Sequence, residues 1–257
     1  MSNTPRSSSP QQNHLLAGLP RAEYERLLPH LELVPLPLGK VLYEVGGRLD
    51  HVYFPTTAVV ALLYVMENGA SAEIGVVGND GILGIAVFMG GDTRPNLAVV
   101  QNEGHAYRLK GQLLKQEFSL GEALQHQLLR YTLALTTQMA QTAICNRHYP
   151  VDQQLCRWLL LSLDRLSSNE LSMTQKLIAA ILGVRSKEVT KATGKLQSEG
   201  LIHYSRGRIT VLDRPGLEAR GGGCYEADRK ESRPTAPRRD RSEPSKRLSM
   251  TRVASLQ

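Results

Sequence analysis

The sequence predicts an α+β chain with a β-rich half followed by a helical half, and three observations carry that prediction. Between residues 36 and 111, short apolar or alternating runs are separated by Gly, Asn and Asp, which is the pattern of closely spaced strands. From Gln112 to Arg147 the turn residues nearly vanish and apolar side chains return at helical spacing. Beyond Pro150, two further helical patterns meet across a single glycine, Gly183, and basic residues accumulate.

Taken in order, residues 1–13 are mostly Ser, Pro, Gln and Asn with nothing to bury, and read as a disordered tail. "RAEYERLLPHL" suggests a short helix. "VLYEVGG", "DHVYFPTTAVVALLYVMENG", "SAEIGVVGNDGILGIAVFMGGD" and "NLAVVQNEGHAYRLKG" then read as strands of a barrel or sandwich. In the long helical stretch, Leu124, Leu128, Tyr131, Leu135, Gln138 and Thr142 fall on one stripe, and Leu129, Leu133, Ala140 and Ile144 on another. Two apolar stripes need two partners. The first is expected to meet a second copy of the chain in a parallel homodimer, with Gln138 and Thr142 fixing register at some expense of stability. The second stripe is then left to face the barrel. "VDQQLCRWLLLSLDRL" gives one more helix, ending at "SSNE".

Charge points to a partner. The chain carries a net charge of +7. Residues 171–214 hold eight Lys and Arg against three acids, and residues 219–257 hold ten against five, so the remaining body is mildly acidic. A basic end on an acidic body is the footprint of a polyanion-binding surface. Three cysteines, Cys145, Cys156 and Cys224, are an odd number without paired spacing and are expected to be reduced thiols. Cys145 and His148 have a helical spacing that suits a metal, but a packed thiol is the simpler reading. The N-terminus has no apolar segment of the signal-peptide kind, and the longest apolar run, "AVVALLYVM", is nine residues against the roughly eighteen a membrane span needs. These features predict a cytoplasmic protein with no membrane partner.

The stretch around Gly183 carries the sharpest functional signal. Thr174 can cap a helix whose Leu177, Ile178, Ile181 and Leu182 form one apolar face. Gly183 supplies the left-handed residue that ends it, Ala179 is small enough for a close crossing, and Val189 anchors the next helix. That is a helix-turn-helix, and its second helix presents Arg185, Ser186, Lys187, Thr190 and Lys191, side-chain types that bond base edges and phosphates. "HYSRGRITVLD" follows as two strands about a turn bearing Arg206 and Arg208, a wing placed to meet the backbone of double-stranded DNA.

Strands, long helix and winged helix-turn-helix in this order resemble the Crp/Fnr superfamily of bacterial transcription regulators. The resemblance runs from about residue 15 to residue 218 and is most specific in "VLYEVGGRLDHVYFP", "GVVGNDGILG" and "LGVRSKEVT…LQSEGLIHYSRGRITVLDRPGLE". It implies a cyclic-nucleotide-binding-like sensor domain over 14–111 built as a cupin-like β-roll, or double-stranded β-helix. It further implies a dimerisation helix over 112–150 and a winged helix-turn-helix over 151–218; beyond these, residues 219–257 are low in apolar residues and read as a basic, disordered tail. It also implies a homodimer on a palindromic site, with RNA polymerase as a further partner. The effector pocket would involve Gly81, Ile82, Leu83, Gly84, Arg94, Leu97 and Ala98. Nucleotide-binding members carry a Glu where Ile82 stands and an Arg-Ser pair where Leu97 and Ala98 stand, so the ribose and phosphate partners of cyclic AMP are missing and a different effector is expected. Too few cysteines are present for an iron-sulfur cluster, no histidine stands out as a haem ligand, and no metal site or catalytic residue is assigned; the cofactor is left unknown. Lys187 replaces the family's usual Glu in the recognition helix, which implies a different target sequence. Two rivals remain: a cupin-like metal-dependent enzyme, which would need His51, His105 and a carboxylate to converge, and a winged helix serving protein contact alone.

Overall fold

The computed structural model describes residues 9–46, 49–67, 71–91, 96–166 and 168–232. Asn13 caps α1 (His14–Ala17) through its side-chain oxygen, and its side-chain amide donates to the Pro55 and Gly81 carbonyls at 2.9 and 2.8 Å. These bonds satisfy a fully buried asparagine, so residues 9–13, expected within the disordered tail, are structured instead.

After α2 (Arg21–Leu27) come seven strands: β1 (Glu32–Leu36), β2 (Val41–Tyr43), β3 (His51–Pro55), β4 (Val59–Val65), β5 (Ser71–Val77), β6 (Leu97–Asn102) and β7 (Gly104–Lys110). They form two antiparallel sheets, β1-β7-β3 and β2-β6-β4-β5. Leu36, Val60, Leu62, Val77, Val100 and Ala106 fill the roll between them. The run after β5 was expected to continue as strand. It turns at Gly78–Gly81 instead, and among the described residues pairs back only where Leu83 meets Tyr53.

The expected single long helix is two, α3 (Gly111–Ser119) and α4 (Ala123–His148). Gly121 stands between them at φ +74°, and the Glu23 carboxylate of α2 caps α4 by accepting from the Ala123 and Leu124 amides at 3.2 and 2.8 Å. The two stripes of α4 are exchanged relative to expectation. Leu124, Leu128, Leu135, Gln138 and Thr142 are buried against the chain's own roll and α5, and Tyr131 packs over Gly81. Gln138 accepts from the Val76 amide at 2.8 Å, and Thr142 from Arg157 at 3.0 Å. Those two polar residues therefore satisfy groups within the chain, and this is why their stripe faces inward. Leu129, Leu133 and Ile144 are 45%, 68% and 50% exposed, and Ala140 lies with them.

α5 (Val151–Leu163) enters the helical half and is followed by β8 (Glu170–Ser172), α6 (Gln175–Leu182), α7 (Ser186–Ser198), β9 (Ile202–Ser205), β10 (Arg208–Val211) and α8 (Arg214–Ser232). The wing is a three-stranded sheet, β8-β10-β9, with β8 unforeseen in the sequence. Order does not stop at residue 218. Leu217 and Tyr225 are buried, and Arg220 pairs with Asp152 and Glu199 at 2.8 and 2.7 Å, so α8 packs back on α5 through a kink at Gly222. Residues 233–257 of the expected tail lie outside the described residues. Cys145 is disulfide-bonded, against the expectation of a reduced thiol, while Cys156 is a free thiol whose pKa burial pushes up to about 12.

Leu128→Ala should destabilise the chain by about 2–5 kcal/mol, as for other fully buried leucines, whereas a solvent-facing stripe would give a change within about 0.5 kcal/mol. Denaturant unfolding monitored at low protein concentration checks this.

Candidate nucleic-acid interface

Thr174 accepts from the Leu177 amide at 3.3 Å and starts α6, whose Ile178, Ala179, Ile181 and Leu182 are buried. Gly183 at φ +67° closes the helix onto the Ala179 carbonyl, and α7 begins three residues later. Its start is held by Glu188, whose carboxylate accepts from the Arg185 amide at 2.9 Å and lies 3.4 Å from the Arg185 guanidinium. The backbone and side chain of Arg185 keep the Glu188 carboxyl below its ordinary range. Val189, Ala192, Thr193 and Leu196 form the inner face of α7, which turns Ser186, Lys187, Thr190 and Lys191 to solvent.

The wing turn has only two residues, Arg206 and Gly207, at φ +50° and +76°. Two left-handed residues match the right-handed twist of the flanking strands, and the tight turn lifts Arg206 to the tip. Gln197 of α7 accepts from the Tyr204 amide at 2.8 Å and ties the wing to the recognition helix.

All eight residues expected at DNA, Thr174, Arg185, Ser186, Lys187, Thr190, Lys191, Arg206 and Arg208, are exposed and lie on α6, α7 and the wing. They are not equivalent. Thr190 donates to Gln175 at 2.6 Å and so ties the two helices together, while Arg185 is shared with Glu188 and Arg208 lies 4.0 Å from Glu170. Lys187, Lys191 and Arg206 make no ion pair among the described residues. Other cations of this basic segment serve the fold: Lys195 pairs with Asp152 at 2.7 Å, and Arg214 with Asp164 and Glu218. Sequence reading missed Gln175 and Gln197, because a glutamine bridging two elements leaves no periodic or compositional trace. It also passed over Lys176, an exposed cation beside them.

Of the seven residues expected around an effector, six are described, and their apolar side chains fall in different clusters. Arg94 lies outside the described residues. Gly81 is covered by Tyr131, whose hydroxyl oxygen would stand 2.4 Å from an added Cβ, and Gly84, at φ +98°, sits against Leu49. Ile82 belongs to the apolar cluster beneath α1, Leu83 and Ala98 belong to the roll interior, and Leu97 packs toward α5. The turn has a second use: Gly78 leaves room for Arg165, and Asp80 holds that buried guanidinium with two contacts of 3.0 and 2.7 Å. Among the described residues no three His, Cys, Asp or Glu side chains group as a metal site. His51 faces Lys110 in the β3–β7 ladder and His105 lies five positions further along β7, about 17 Å at strand rise.

Residues 33–119 match the family of the cyclic nucleotide-binding domain, and residues 153–220 match the family of the Crp-like helix-turn-helix domain. The chain belongs to the Crp/Fnr family of transcription regulators. No curated protein matches this Crp/Fnr regulator in sequence. Among solved structures it is similar to a putative Crp/Fnr-family transcriptional regulator of Eubacterium rectale, at 17% identity and TM-score 0.60, covering 82% of this chain and 99% of that one. It is also similar to a Crp-family transcriptional regulator of Thermus thermophilus, at 18% identity and TM-score 0.63, covering 76% and 99%. A second regulator from Thermus thermophilus, of the Crp/Fnr family, shows 23% identity and TM-score 0.58, with 74% and 98% covered. These likenesses are of fold. No described helix is long and apolar enough to cross a membrane.

Arg206→Asn should leave thermal stability unchanged or slightly raised, because Asn tolerates the left-handed conformation better than Arg. The same change should weaken binding to all duplexes alike and reduce the slope of log K against log salt by about one unit. Titration of duplex DNA at several salt concentrations checks both halves.

Proposed function

We propose that this regulator binds a palindromic DNA operator as a homodimer and does no catalysis, and that its effector is not cyclic AMP. The observation that supports this best is the exposed cationic set Lys187, Lys191 and Arg206, which makes no ion pair among the described residues, on a recognition helix and wing tied down by Gln175, Glu188 and Gln197. Reading bases needs such donors held on a rigid element, and phosphates need cations not already neutralised.

The dimer is assigned to the outward stripe of α4. Leu129, Leu133, Ala140 and Ile144 form a solvent-facing apolar seam along a 26-residue helix, suited to a parallel copy of itself. Such a pair would present two recognition helices with two-fold symmetry, and an inverted repeat is the DNA counterpart of that symmetry. For the effector, the apolar packing of Ile82 and Ala98 argues against a ribose and a cyclic phosphate, because burying a phosphate without a cation is costly.

Selection of bound sequences from a random duplex pool should return an inverted repeat with half-sites about one helical turn apart; a pool with no motif would contradict the operator reading. Leu133→Lys, or Leu129→Lys, should give a folded monomer by light scattering and lose operator binding. Lys187→Ala or Lys191→Ala, whichever reads a base, should cost about 1–3 kcal/mol and relax specificity at one position.

A further inference from the structure

Three acids are buried among the described residues, and two of them have clear partners. Glu23 caps α4, and Asp152 accepts from Lys195 and Arg220. Glu73 is different. It lies on β5, where the sensor roll meets α4, α5 and the first helix of the helix-turn-helix, and its Oε2 has no hydrogen-bond partner. It lines a cavity of about 10 Å³, room for one water, whose walls come from all four elements. Gln154 Oε1 on that wall is likewise without a hydrogen bond, and the Trp158 indole faces the Glu73 carboxyl. The neighbouring residue Ala72 touches the turn of the helix-turn-helix, its Cβ 3.2 Å from where a side chain on Gly183 would begin.

The charged groups facing Glu73 are Arg157 on α5 and Arg165 just beyond it. Both are committed: Arg157 donates to Thr142 at 3.0 Å, and Arg165 binds Asp80 and the Leu161 carbonyl. α4 lines the cavity with Thr142, Cys145 and Asn146 and α6 with Ile181 and Leu182, none of them charged, and the strand partner on β4 is Leu63. Burial therefore prevails over the two cations and the indole, and raises the carboxyl to about 8 from its ordinary 4.5.

We propose that Glu73 makes the seam between the sensor roll and the DNA-binding unit a proton-linked latch, closed while the carboxyl holds its proton and loosened when the proton leaves. In the closed seam the carboxyl is neutral; once α6 parts from β5, water reaches it and it becomes an ordinary carboxylic acid. Closure is thus favoured most below pH 4.5, weakens about tenfold per pH unit between 4.5 and 8, and changes no further above 8. The same seam sets where α7 and the wing stand relative to the sensor, so proton release alters the geometry offered to DNA.

The test uses the full chain without DNA, so that its outcome does not depend on the operator reading. Hydrogen exchange of the α6 and β5 amides is measured at pH 6 and pH 8.5, corrected for intrinsic rates, in the wild type, Glu73→Gln and Glu73→Leu. The opening equilibrium of these amides should rise roughly a hundredfold in the wild type between the two pH values and stay flat in both variants. The latch is overturned if the variants keep the wild-type pH dependence or if the wild type is itself flat. It is overturned equally if β7 and the roll interior accelerate as much as α6, which would make Glu73 a buried acid felt by the whole fold.

Discussion

Helix α5 is buried on nearly every side, with eleven of its thirteen residues out of solvent, and the rest of the molecule is arranged around that fact. A helix buried on nearly all sides sits at the centre of a core, with its polar side chains bonded there. Its leucines and Trp158 gather Val59, Ala61, Leu63 and Val76 from the sensor sheet, Ile178, Val189 and Leu196 from the helix-turn-helix, and Leu217 and Tyr225 from α8 into one apolar cluster. The roll and the helix-turn-helix unit therefore do not meet across a solvated gap. They share a core, and the recognition helix is positioned by the packing of α6 on β5 and of α5 on α7.

Polar groups make that packing specific. The edge of β5 and the turn after it meet the helices residue by residue: Gln138 on the Val76 amide, Arg165 on Gly78 and Asp80, and Tyr131 on Gly81. Each glycine in this turn leaves space for a side chain from α4 or from the segment just after α5, so the stretch that most resembles a nucleotide-binding cassette serves here as a docking edge. Glu73 is a buried acid with an unpartnered oxygen, and its placement in the seam is what gives it leverage. On the opposite side, α7 keeps its inner face of Val189, Ala192 and Leu196 in the shared core, which leaves Lys187 and Lys191 free to point outward.

Much of this was legible in the sequence, for identifiable reasons. Strands separated by Gly, Asn and Asp, and the helix-turn-helix about Gly183, rest on local rules that the final packing does not override. The two stripes of α4 were legible as stripes, but not which faced inward: both are apolar, and the decision lay with Gln138 and Thr142, whose partners are sixty-two residues upstream and fifteen downstream respectively. The break at Gly121 needed the capping carboxylate of Glu23, one hundred residues away from Ala123. β8 is only three residues long and is a strand because β10 offers it an edge. α8 looked like tail because its composition is polar and glycine-rich, yet Leu217, Arg220 and Tyr225 suffice to bind it to α5.

The central claim is that the outward face of α7 and the tip of the wing form the DNA-reading surface, held in place by the shared core. Hydrogen exchange of the protein with and without a selected operator duplex tests it most directly. Slowed exchange concentrated at residues 185–191 and 205–208, with the roll unchanged apart from β5, is the result this account predicts. Protection centred on the sensor roll or on α8, with α7 and the wing unaffected, would contradict it.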